Sequence, residues 1–130
     1  MTGTPRFFLI FACMSAALSI GASAMAAHAR ALSPADMQAL AWALDLQRFH
    51  ALALLAVVLL DRQGLTRPWA IVTGAMFVVG TLFFCIQIEL RLLWEIEGLR
   101  ALVPYGGMAF MAGWMTLAIG AWRVPRPLQT

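Results

Sequence analysis

Asp45, Arg48 and His50 stand close together at the head of an apolar run. They lie in Asp45-Leu46-Gln47-Arg48-Phe49-His50, and Ala51 to Leu60 follows without a polar side chain. A carboxylate, a guanidinium and an imidazole in one place could relay a proton or hold a solute. With Leu60 as the inner end of a helix, Asp45 lies ~22 Å along it, Arg48 ~18 Å and His50 ~15 Å. That puts His50 near the middle of a hydrocarbon core about 30 Å thick. Asp45 and Arg48, at i and i+3, can pair on one face. His50 points ~140° away from Asp45 and ~160° away from Arg48. A membrane helix with polar groups on two opposed faces needs neighbours on both. Ionisable groups at such depth are costly in lipid and are candidate functional residues. The competing reading is a self-satisfied ion pair and a neutral His50 bonded to a hydroxyl or a backbone carbonyl.

Other chemistry is harder to build. The second histidine, His28, falls ~15 Å in depth from His50, whereas the axial ligands of one haem sit at similar depth on facing helices. No cofactor is expected. The chain has neither CxxC nor HExxH, and its six acids do not cluster at metal-ligand spacing. Cys13 and Cys85 fall ~9 and ~24 Å from the same membrane face. They are too far apart for a disulfide, which needs Cα atoms within about 7 Å. No water-accessible cleft is implied, so an enzyme is not expected.

The elements that must position these groups follow from composition. The chain is 62% hydrophobic and 12% charged, against roughly 25% charged for a soluble domain. So small a chain cannot hide that much apolar surface in a core, so its solvent is lipid. The expectation is one all-α membrane domain over 1–130, a bundle of four transmembrane helices at about 7–27, 42–60, 69–90 and 102–122. Ser33-Pro34-Ala35-Asp36 is a helix start, with Ser33 as cap and Pro34 in the first turn. It opens an amphipathic connector at 34–41, from which one helix could run unbroken to Leu60. Leu92, Ile96 and Leu99 suggest a second, interfacial connector helix at 91–100.

Small residues mark the expected packing faces. Ser15, Ser19 and Ser23 form an i, i+4, i+8 stripe. Gly74 and Gly80 offer close approach in the third span, while Gly106, Gly113 and Gly120 recur every seventh residue in the fourth, with Gly107 beside the first. The nine basic residues are all arginine and are scattered between apolar runs, a pattern that argues against nucleic-acid binding. Arg6, Arg62, Arg67, Arg123 and Arg126 gather on one side, which predicts both termini in the cytoplasm.

Several motifs occur in order along the chain: Phe49-His50-Ala51-Leu52-Ala53, Gly80-Thr81 with Phe84 behind it, Pro104-Tyr105-Gly106-Gly107, and Phe110-Met111-Ala112-Gly113-Trp114. In these the chain resembles the YgdD-like small inner-membrane proteins, catalogued as domain of unknown function 423. The resemblance runs from Phe7 to about Arg123. It implies four spans, a retained first helix and the bacterial inner (plasma) membrane, but carries no activity. The family's Gly-Ala-x-Gly-Ala-His segment is Ser23-Ala24-Met25-Ala26-Ala27-His28 here, with the histidine kept and both glycines replaced.

The expected function is that of an integral membrane protein with a structural or accessory role. Its partners would be the lipid bilayer and either further copies of itself or a larger membrane complex. The competing expectation is a small solute or proton-linked carrier using Asp45, Arg48 and His50.

Overall fold

A computed structural model of the chain describes residues 3–28 and 32–124; Arg126, counted above for orientation, lies outside them. Helix α1 spans Gly3–His28, α2 Pro34–Gln63, α3 Arg67–Gly80, α4 Gln87–Trp94 and α5 Val103–Trp122. A π-helical turn, Thr81–Ile86, joins α3 to α4, and a 3-10 turn, Arg100–Leu102, leads into α5. The described residues contain no strand. Among the described residues, four stretches are long and apolar enough to cross a membrane: Gly3–His28, Pro34–Gln63, Arg67–Trp94 and Arg100–Trp122.

Local chemistry sets the ends of α2. Ser33 adopts an extended backbone, its hydroxyl accepts from the N–H of Asp36 at 3.1 Å, and Pro34 fills the first turn. Gly64, at φ 118°, closes the helix in the left-handed conformation open to glycine and returns its N–H to the carbonyl of Leu60. Between these caps the 30-residue helix is ~45 Å long, so the 34–41 segment is its first turns and not a separate element.

The 91–100 segment differs from expectation. Helix α4 continues to Trp94 and then stops at Glu95, which takes a left-handed φ of 55°; Gly98 follows at φ 112°. No separate interfacial helix forms. Leu92 and Leu93 are drawn into a cluster with Ala22, Leu40 and Leu44, so burial against α1 and α2 extends the third span instead.

Helix α1 packs chiefly on α2, and α5 chiefly on α3 and the π turn, while α2 touches α1, α3, the π turn and α4. The core between them is built from Phe8, Ala12, Leu54, Val57, Phe77 and Phe110. Outward-facing Leu52, Met111 and Trp122 are exposed, as residues bathed in lipid would be. The seam between the third and fourth spans depends on glycine. A Cβ on Gly106 would lie 2.5 Å from the backbone nitrogen of Phe84, and one on Gly113 2.6 Å from the Phe77 ring. At Gly120 it would lie 2.8 Å from Trp69 Cβ, whereas at Gly107 it would make ordinary contact at 3.8 Å. Gly74 admits the ring of Phe8 and Gly80 that of Phe110.

Candidate functional site

Helix α2 presents His50 and Arg48 to different neighbours, and the structure satisfies each in its own way. His50 is buried. Its Nδ1 lies 2.8 Å from the carbonyl oxygen of Leu46, one turn back, and that oxygen can only accept. Nδ1 therefore carries the proton, leaving Nε2 as an acceptor. The indole N–H of Trp114 on α5 donates to it at 3.2 Å. The imidazole stacks on Phe110 with centroids 3.6 Å apart and planes 17° from parallel. Phe77 and Phe49 meet it edge-on, each with centroids 5.2 Å away. Trp114 closes the cage against Phe49 at 5.6 Å and Phe77 at 5.1 Å. With both nitrogens used and ring faces around it, His50 has no nitrogen free to bind metal or solute.

Arg48 points to the other side, toward α1. Its Nη1 donates to Asp45 Oδ1 at 3.1 Å, and its Nη2 donates to the carbonyl of Ser19 at 3.3 Å and to the hydroxyl of Ser23. The serine stripe of α1 thus meets the guanidinium, as well as packing. Ser19 is itself fully buried and donates back to the carbonyl of Ala16. Asp45 remains 75% exposed in its side chain. The two opposed polar faces of α2 are therefore covered by different partners: α1 takes Arg48, while α3 and α5 take His50. Asp45 and His50 are not brought into one site.

His28 is the last residue of α1 and is exposed. Among the described residues, no group of three or more His, Cys, Asp or Glu side chains could hold a metal ion. Cys13 is exposed and Cys85 buried, and both are free thiols.

Two polar residues that sequence reasoning left aside are buried as deeply as His50 or nearly so. Gln47 is fully buried, and neither polar atom of its amide has a hydrogen-bond partner among the described residues. Glu89 on α4 is buried, and its Oε1 has no hydrogen-bond partner among the described residues. The signal for Gln47 was its phase: Ala43, Leu44, Gln47, His50, Ala51 and Leu54 are all buried on one stripe of α2. Glu89 reads in sequence as the polar end of a span. It is buried because α4 continues beyond it and packs on α2.

Further hydroxyls hold the third and fourth spans together. Thr73 and Thr116 hydroxyls lie 3.1 Å apart, and Thr116 also donates to the carbonyl of Gly113 at 2.8 Å. Thr81 donates to the carbonyl of Phe77 at 2.9 Å where the π turn begins. A hydroxyl bonded back to the i−4 carbonyl competes with the helical ladder and often bends a helix.

Comparison with known proteins adds lineage to this geometry. A family model described as protein of unknown function (DUF423) matches residues 22–107. The chain is 28% identical over 130 residues to the UPF0382 inner membrane protein YgdD of Escherichia coli K12, covering 95% of each chain. It is 28% identical over 121 residues to the UPF0382 membrane protein SH2409 of Staphylococcus haemolyticus, covering 91% of this chain and 97% of that one. The UPF0382 membrane protein SERP0230 of Staphylococcus epidermidis is 29% identical over 122 residues, covering 88% and 93%. No solved structure matches the chain.

Proposed function

Because the chain belongs to the DUF423 family of unknown function, whose similar members are membrane proteins, we propose that it is a structural or accessory component of the inner membrane. In this reading it is not an enzyme; it acts by packing, against copies of itself or against a larger membrane complex. The observation that carries the reading is the occupancy of His50: the midplane imidazole spends both nitrogens on Leu46 and Trp114 and serves to join α2 to α5. The first and fourth spans, the least covered of the four, supply the surfaces for a partner. The arginine distribution supports both termini in the cytoplasm. The carrier reading through Asp45, Arg48 and His50 has less support, because the pair and the imidazole face different neighbours and His50 offers no open position to a solute.

Isolation of the tagged protein from its native membrane in mild detergent tests the proposal. The expected result is an assembly heavier than the 14.2 kDa chain, either a homo-oligomer or a stoichiometric complex identified by mass spectrometry. Recovery of the monomer alone overturns it.

A further inference from the structure

One open groove combines charge with an apolar wall. It encloses about 270 Å³ between α1 and α2, with Ala26, Leu40, Ala41 and Leu44 along its wall and Ser23, Asp45 and Arg48 at its polar end. Arg48 and Asp45 are 39% and 75% exposed in their side chains, although they pair. Arg48 uses three hydrogen bonds, to Asp45, Ser19 and Ser23, out of the five donors that a guanidinium has. Among the described residues, Asp45 engages Arg48 through Oδ1. A cation with donors to spare and an anion with an oxygen to spare stand side by side. Ser23 lies five residues before the end of α1 at His28, so the pair is ~7.5 Å below the helix end. That is a depth from which long side chains reach the headgroup layer.

We infer that this groove binds a zwitterionic aminophospholipid, with Arg48 on the phosphodiester, Asp45 on the primary ammonium and an acyl chain along Ala26, Leu40, Ala41 and Leu44. Charge complementarity selects this occupant. An anionic glycerol headgroup satisfies Arg48 and is repelled by Asp45, and a quaternary ammonium has no N–H to give the carboxylate. The pair in the membrane is on this account a lipid contact and not a solute path. It does not depend on which protein partner the outer spans meet.

Native mass spectrometry of the full chain in detergent, with phosphatidylethanolamine and phosphatidylglycerol added at equal concentration, tests this. Wild type should retain phosphatidylethanolamine at least about tenfold better, the size expected for one charge-assisted hydrogen bond gained and one repulsion avoided. Asp45→Asn should bring the ratio of the two lipids to about one, and Arg48→Gln should lower retention of both. Ala41→Phe changes no charge and fills the groove at an exposed position. It should abolish phosphatidylethanolamine retention while the circular-dichroism melt stays at the wild-type value. It also keeps the proposal testable if Arg48→Gln fails to fold. Equal retention of both lipids by wild type, or undiminished retention by Ala41→Phe, overturns the inference.

Discussion

The indole N–H of Trp114 donates to Nε2 of His50 across 3.2 Å, joining positions 64 residues apart in the chain. A tryptophan in mid-span, away from the interfacial belt, has a polar N–H that must find an acceptor inside the protein. A histidine whose other nitrogen is committed to the carbonyl of Leu46 supplies one. Each residue makes the other tolerable in lipid.

Trp114→Phe keeps the ring packing and removes the donor, leaving Nε2 of His50 buried and unpaired. The expected cost is about 1–3 kcal/mol, read as a lower midpoint of thermal unfolding in detergent. His50→Phe made together with it should cost less than the two single changes summed, because the pair is one interaction. Additive effects would show that the hydrogen bond contributes nothing.

The glycines of the fourth span should fall into two classes. Gly106→Ala puts a methyl against the backbone of Phe84, where no rotamer change can give relief, and should cost about 1–3 kcal/mol or more. Gly107→Ala meets only ordinary contact and should lie within about 0.5 kcal/mol of wild type. Melting curves of the two variants in the same detergent compare them directly, and equal losses would contradict the close approach at Gly106.

Gln47 carries the opposite expectation. Its amide is fully buried without a partner, so replacement by leucine should be neutral or should stabilise the protein by about 1–3 kcal/mol. A clear fall in the melting midpoint of Gln47→Leu would mean that the amide is satisfied by a group it needs.

Ser33→Ala removes the hydroxyl that caps α2. The cost should be about 1 kcal/mol, and hydrogen exchange should rise in the first turn while the residues around His50 stay protected. Loss of protection throughout α2 would show that the helix depends on its cap more than on its packing.

The helical class and the membrane setting were legible because both rest on local quantities, apolar run length and charge scarcity. The glycine repeat at 106, 113 and 120 was legible for the same reason, since a seven-residue period holds one face of a helix. The partnership of His50 with Trp114 was not, because hydrogen bonds between spans depend on how helices face one another, and no periodicity records that. The burial of Glu89 was hidden by its position: a carboxylate after an apolar run reads as a boundary until Leu92 and Leu93 are seen to pack inward. The serine stripe on α1 was visible, but its meeting with Arg48 depends on where α2 places its fourth turn.

The π turn Thr81–Ile86 has a consequence for evolution along this chain. A widened turn accommodates a residue beyond what a regular helix of the same rise would use, so it acts as an absorbed insertion, taken up locally while the rotational phase of everything after it stays close to that of an uninterrupted helix. Removing one residue between 81 and 86 would let the segment relax to an α-helix and leave Ile88 and Glu89 close to the face they already present, whereas removing one from the regular helix Arg67–Gly80 would turn them by about 100°, carrying the carboxylate from the interior toward lipid. The third span is therefore more tolerant of a change in length at this short stretch than elsewhere, and a single-residue deletion between 81 and 86 should lower the melting midpoint less than one within Arg67–Gly80.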